Sequence, residues 1–328
     1  MSKKKNLIFM IIFVALSLFL AAFILVLISM NKTARTEDFE KTLSLGAVEL
    51  NVENLDSTRD FYVDLVGLEI ITEEDRKVVL GKSNRPVIVL IQQDDYRHTE
   101  TKEPGLYHSA ILFTSRIELA QSIDRIISNR PFLYQGSSDH MVSEAFYFSD
   151  PEGNGLELYF DKPTESWEYD ELGRPRMGSI YIDEKAYIER YAKSNREKTR
   201  TDISTESIKM GHIHLRVGNI AEAKAFYVDV LMFDIITESD QTLFISKDNY
   251  HHHIGMNTWE TAGTSSRTPD TYGLKSFSIW IHSKEEYATI LEQLKKHGVD
   301  YEADSAADSI SFQDPWGNAI NLISQKKS

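Results

Sequence analysis

Residues 211–217, GHIHLRV, restate residues 46–52, GAVELNV, at a spacing of 165. The correspondence continues downstream: FYVD at 61–64 returns at 226–229, and DPEGN at 150–154 returns as DPWGN at 314–318. A chain that repeats itself at this interval is built from duplicated units, and its fold has to be read unit by unit. The copies also differ where chemistry is concerned, because His212 stands where the first copy has Ala47. Positions that carry a metal-type ligand in one copy only mark where a site persists.

From residue 44 the chain divides into four similar units, each a strand, a helix and further strands. The first begins with a strand over 46–52, followed by a helix over about 55–66 capped by Asp56 or Ser57. Strands near 67–72, 77–81 and 86–92 complete it. The second has a strand at 107–113, a helix near 115–128 and a strand pair at 145–149 and 155–160, joined by the Asp150-Pro151-Glu152-Gly153-Asn154 turn. Units three (211–258) and four (273–324) match units one and two. Between the halves, 161–207 is a connector rich in Lys, Arg, Asp and Glu, with 184–194 expected to be helical. The fold class is α+β: four βαβββ modules forming two half-open, cup-like barrels. The halves 44–160 and 208–325 are expected as two domains.

Composition narrows the function. With 328 residues the chain can build two full cores. A net charge of −14 leaves no basic face for phosphates, which excludes nucleic acid as a partner. Cysteine is absent, so any metal is held by His and carboxylate. Residues 7–30 carry no charge and no proline, and as a helix would span roughly 36 Å, enough for a bilayer core of about 30 Å. The segment is longer than a signal-peptide core and lacks a small-x-small cleavage site, so residues 1–35 are expected to form a transmembrane anchor. Lys3, Lys4 and Lys5 form a short basic tail that puts the N-terminus in the cytoplasm and the soluble part outside it.

Aligning the units exposes a ligand set. The opening strands carry Ala47, His108, His212 and Ser276, and the closing strands, seven residues after the Asp of each DPxGN turn, carry Glu157 and Asn321. His108, Glu157 and His212 survive as ligands, all in the two middle units. Pairing unit two with unit three puts two His and one carboxylate in one cup, whereas pairing within each half splits them. The pattern of losses therefore favours the middle pairing. Two His and a carboxylate with open positions suit Fe(II), with Mn(II) as the alternative, because three protein ligands leave room for a chelating substrate and O2. A lone His at a strand start is more often a hydrogen-bonded core residue; three such groups at equivalent positions of a repeat read as a metal site. Tyr147, His140, His214 and the run His251, His252 and His253 gather around the same place. Strand alternation would put His251 and His253 on one face and His252 on the other. Trp167, Trp259 and Phe146 are given no role.

In GLYH, DHMVSEAFYFSDPEGNGLELY, MGHIHLRV, AKAFYVDVL and YHHHIGMN the chain resembles the vicinal oxygen chelate superfamily, and within it the four-module, catechol 2,3-dioxygenase-like ring-cleaving proteins. The similarity covers about 44–324; DPxGN alone is generic to the superfamily. The resemblance implies Fe(II) on His108, His212 and Glu157, with a small aromatic diol (a catechol or hydroquinone type) and O2 as substrates. It further implies His252 and Tyr147 as catalytic groups, one taking a diol proton and one orienting the reacting oxygen, with His140 as a third participant. A hydrophobic anchor departs from the usual soluble pattern of these proteins. Two other functions compete: a glyoxalase-type isomerase or lyase, which uses four protein ligands and no O2, and a membrane-tethered binding module without catalysis. The sequence leaves the oligomeric state open, a homo-oligomer included.

Overall fold

The computed structural model describes residues 40–194 and 208–324. The apolar segment 7–30 and residues 195–207 of the connector lie outside the described residues. Among the described residues no helix is long and apolar enough to cross a membrane.

Each unit is a βαβββ module. Unit one holds β1 (Leu43–Val52), α1 (Leu55–Asp60, continuing as a π-helical turn Phe61–Val66), β2 (Glu69–Glu74), β3 (Lys77–Lys82) and β4 (Arg85–Gln92). Unit two holds β5 (Gly105–Phe113), α2 (Arg116–Asn129), β6 (Tyr134–Asp139), β7 (Ser143–Ser149) and β8 (Gly155–Asp161). After α3 in the connector (Glu184–Ile188, then π-helical Glu189–Lys193), unit three holds β9 (Ile208–Arg216), α4 (Ile220–Lys224, then Ala225–Val230), β10 (Asp234–Glu238), β11 (Thr242–Ser246) and β12 (Ile254–Asn257). Unit four holds β13 (Gly273–Ile281), α5 (Lys284–Lys296), β14 (Tyr301–Asp304), β15 (Ser309–Gln313) and β16 (Ala319–Ser324).

The helix starts have a shared cause. Asn54, Ser115, Asn219 and Ser283 sit in extended backbone just before α1, α2, α4 and α5, and each side chain accepts from the amide three residues on, satisfying one of the unpaired donors of the first turn. This corrects the expectation of Asp56 or Ser57 as the first cap: both already lie inside α1, where Ser57 supplies the amide that Asn54 receives.

Two eight-stranded sheets result. One runs β10-β11-β12-β9-β5-β8-β7-β6 and the other β14-β15-β16-β13-β1-β4-β3-β2. The first joins units two and three through antiparallel β5 and β9; the second joins units one and four through antiparallel β1 and β13. The middle pairing inferred from the ligand losses is the one observed. A contiguous apolar core, with Leu50, Ile123, Ile213 and Phe277 among its buried members, runs through all four units.

The repeated motifs bind the units along the chain. Tyr62 of the first FYVD donates from its hydroxyl to Asp150 at 3.2 Å, and Tyr227 of the second donates to Asp314 at 2.9 Å. Asp150 also accepts from the amides of Glu152 and Asn154, which closes the turn, and Gly153 takes the left-handed φ of +84° that this turn needs. FYVD and DPxGN are thus parts of one scaffold contact that occurs twice, and they hold unit one to unit two and unit three to unit four.

Candidate metal centre

Strand β5 is the middle of the site. Ala110 on it is paired with Glu157 of β8 on one side and with His212 of β9 on the other, and His108 lies two residues back, opposite His214. Paired residues point to one face of a sheet, and alternation keeps positions 108 and 110 on that face. Ala110 contributes only a methyl group, so the space between the carboxylate and the imidazole is left open.

In that space the donor atoms of His108, Glu157 and His212 all lie within 4.8 Å of one another, and all three residues are buried. Glu157 Oε2 is 3.0 Å from His108 Nε2 and 3.2 Å from His212 Nε2. The His212 contact is a hydrogen bond; the His108 nitrogen, although close, is not aligned as one and has no other partner among the described residues. A buried carboxylate facing two ring nitrogens, one of them unbonded, is a donor set that a divalent cation would complete.

The electrostatics agree. Burial would raise Glu157, but His212 and His108 beside it hold it well below the usual carboxylate range. Burial drives His212 down to about 4, against the pull of Glu157, so at neutral pH its imidazole is uncharged and has a lone pair for a metal. The residues present therefore fit a divalent ion held by imidazole and carboxylate.

The outer sheet shows what replaces the set. Ser276, Asn321, Ser311 and Glu49 occupy the positions of His108, Glu157, Tyr147 and His214. They form one hydrogen-bonded chain: Ser311 donates to Asn321 at 2.8 Å, Asn321 donates to Ser276 at 3.1 Å, and Ser276 donates to Glu49 at 3.1 Å. Polar groups that bond to one another leave no converging lone pairs.

The other anticipated residues are also assembled here. Tyr147 of β7 is paired with Glu157, and its hydroxyl lies 2.7 Å from His140 Nε2. His140 Nδ1 donates to the Gly178 carbonyl at 2.7 Å, so in the neutral ring Nε2 receives the tyrosine proton. Burial, then the Glu157 carboxylate, pushes the Tyr147 phenol well above its ordinary range, so it is a proton donor throughout physiological pH. The His214 ring lies 4.9 Å from that of His108, and its Nε2 accepts from Asn257 Nδ2 at 3.0 Å.

The histidine run departs from expectation. Strand β12 begins only at Ile254, and residues 251–253 form a bend before it, so strand alternation does not govern them. His251 and His252 instead meet through their Nδ1 atoms at 2.9 Å, while His251 Nε2 donates to Asp161 Oδ1 at 2.8 Å. Asp161 thereby holds an Nε2 proton of His251. An Nδ1 lone pair on His251 would take the His252 Nδ1 proton and leave the His252 lone pair on Nε2. The His252 ring sits 4.1 Å from that of His212, whereas His253 turns to Ser246 and the Lys247 amide. Behind this relay Tyr159 and Tyr250 share a hydroxyl contact of 2.7 Å. Gly211 makes room for it, since a Cβ there would lie 1.8 Å from the Tyr159 hydroxyl.

A cavity of about 690 Å³ opens over the site, lined by His108, Glu157, Tyr147, His140, His214 and His252 among others. Its volume suits a small organic ligand. Part of the wall, Met177 to Ser179, comes from the connector, which composition alone presents as a solvated linker. Trp259, Tyr107, Arg216 and Phe244 also line the wall, and the sequence alone assigns them no role. The two-residue period carries the signal for two missed groups: Arg216 lies four positions after His212 on β9, and Asp161 four after Glu157 on β8.

Comparison with known proteins agrees with this architecture. The profile of the Glyoxalase/Bleomycin resistance protein/Dioxygenase superfamily matches residues 44–158 and 209–322. The chain is 32% identical over 279 residues to the catechol-2,3-dioxygenase of Bacillus subtilis (strain 168), covering 84% of this chain and 95% of that protein. It is 23% identical over 121 residues to biphenyl-2,3-diol 1,2-dioxygenase 3 of Rhodococcus globerulus, covering 36% and 64% of the two chains. The solved structure of glyoxalase I from Zea mays shares the fold, with a TM-score of 0.53 at 13% identity over 86% of this chain and 92% of that one. A family match over both halves, joined to a relative that aligns across most of its length, shows that this chain belongs to the Glyoxalase/Bleomycin resistance protein/Dioxygenase superfamily.

Proposed function

We propose that the protein is an Fe(II)-dependent dioxygenase, with Mn(II) as the alternative ion, that opens the ring of a small aromatic diol beside its hydroxyl groups. The observation that carries this reading is the convergence of three protein ligands, His108, Glu157 and His212, two of which (His108 and Glu157) line a cavity whose volume suits a small organic ligand. Three ligands leave adjacent positions open, and a metal held there would supply a Lewis-acidic platform for both diol and O2. Among the described residues three donors converge, not the four that glyoxalase-type chemistry uses.

The surrounding groups can move protons at defined atoms. His252, with its lone pair on Nε2, is suited to accept a diol proton, and the Asp161–His251 pair behind it holds that tautomer. Tyr147, bonded to His140, is suited to donate toward charge that develops on the reacting oxygen. His214 lines the cavity beside His108, its ring 4.9 Å from that of the ligand. Membrane attachment through residues 7–30, with the cavity outside the cytoplasm, belongs to the same proposal. Protease added to intact cells should degrade the domain, and full protection would reverse that orientation.

The test is O2 uptake by the anaerobically Fe(II)-loaded protein with a panel of catechols and hydroquinones. Uptake with a yellow ring-opened product, lost in His108→Ala and Glu157→Gln, is the expected result. Stoichiometric metal without uptake on the whole panel would favour O2-independent chemistry, and a protein that binds no metal would be a binding module.

A further inference from the structure

Among the described residues Arg216 has no carboxylate partner. Its guanidinium lies over the Tyr107 ring at 5.7 Å, its Nε is buried with no hydrogen-bond acceptor, and no carboxylate of the described residues forms an ion pair with it. Glu260, the acidic group that acts on it most, is exposed and beyond ion-pair distance. Arg216 is also the one Lys or Arg among the described residues lining the cavity, and Glu157 the one carboxylate. Glu157 is engaged by two imidazoles. A half-buried guanidinium that meets only an aromatic face and solvent is free to pair with an anion that enters the cavity, and arginine keeps its charge there because it does not lose its proton.

The geometry says where that partner sits. His212, His214 and Arg216 occupy alternate positions of β9, so Arg216 is two strand steps, roughly 13 Å of backbone, from the His212 ligand. Tyr107 bridges the interval, with its ring 4.9 Å from that of His214 and 5.3 Å from that of Trp259. The cavity thus has a candidate metal at one end, aromatic walls between, and a planar two-pronged donor at the other. We propose that the ligand of this cavity is an aromatic diol bearing a carboxylate on a short spacer, and that Arg216 binds the carboxylate. This rests on the ring-cleavage reading for the diol end alone.

The test compares catechols that carry a carboxylate on zero-, one- and two-carbon spacers with their carboxamides and with unsubstituted catechol. Equilibrium binding is read by tryptophan fluorescence on the metal-free protein, then as KM on the Fe(II)-loaded one. In the wild type the best carboxylate should bind about tenfold or more tightly than its carboxamide, as a charge-assisted, bidentate contact requires. Arg216→Met should bring the ratio close to one. Arg216→Lys, which keeps the charge and loses the fork, should retain part of it and serves as the second variant should Arg216→Met lose its fold by circular dichroism. A wild-type ratio near one, or a tenfold ratio that Arg216→Met leaves intact, overturns the proposal. Carboxylate preference without O2 uptake on any compound overturns ring cleavage and leaves Arg216 as the anion site; uptake with no preference does the reverse.

Discussion

Replacing Glu157 by Gln should change stability in opposite senses with and without metal. In the metal-free protein Glu157 is a buried charge faced by two imidazoles at 3.0 and 3.2 Å. Exchanging a buried charge for a neutral group of the same shape is often neutral or stabilising, and the Gln amide can still bond to His212. Metal-free Glu157→Gln should therefore unfold within about 1 kcal/mol of the wild type, or above it. Metal reverses the order. An ion that binds only the folded state at about 100 times its Kd adds about 2.7 kcal/mol to the wild type. At roughly 2 °C per kcal/mol for a domain this large, that raises Tm by roughly 5 °C. Glu157→Gln should lose most of that increment. Thermal unfolding with and without Mn(II), which avoids oxidation of Fe(II), measures all four values. A variant that keeps the full metal-dependent rise, or a wild type that shows none at saturating metal, would refute the assignment of Glu157.

Removing the Tyr227 hydroxyl (Tyr227→Phe) deletes a buried donor to Asp314 at 2.9 Å and should lower stability by about 1–2 kcal/mol in urea titrations while sparing metal affinity; a loss of metal binding instead would contradict its scaffold role. His253 is buried and, by burial first and then His251, driven down to about 3. The unfolded chain therefore takes up its proton near pH 6.5 while the folded one does not, so stability falls as the pH drops below that, by about 2 kcal/mol at pH 5. Urea midpoints at pH 7.5 and 5 should show a smaller drop for His253→Gln, and equal drops would exclude this contribution. In Asp161→Asn the lock on the His251 tautomer is lost, so kcat should fall about 10–100-fold with KM nearly unchanged, and an effect confined to KM would count against the relay.

The sequence exposed the site most clearly where two copies could be compared. His108, Glu157 and His212 stood out because Ser276, Asn321 and Ala47 hold the equivalent places, and the same contrast indicated which units share a sheet. Most strand and helix positions followed from periodicity, but β6 (Tyr134–Asp139) did not, nor did the true cap of α1, because Asn54, Asp56 and Ser57 are all competent caps and backbone conformation decides among them. The histidine run was misread for a related reason: alternation holds only inside a strand, and nothing local shows that β12 starts at Ile254 rather than before His251. Contacts distant in sequence were hidden altogether. The connector reads as polar, yet Trp167 and Tyr187 are buried and the Gly178 carbonyl holds His140. Arg216 lies on the ligand strand in plain view, but that no carboxylate among the described residues pairs with it is a property of the packed cavity.

Ring cleavage by O2 is tested most directly by the fate of the oxygen atoms. The Fe(II)-loaded protein is given a catechol under ¹⁸O2, and the product is weighed by mass spectrometry before its aldehyde oxygen exchanges with water. The account predicts a ring-opened product that has gained both heavy oxygen atoms, with no such product from Glu157→Gln. A product that forms without heavy oxygen, or that gains a single atom, would contradict it.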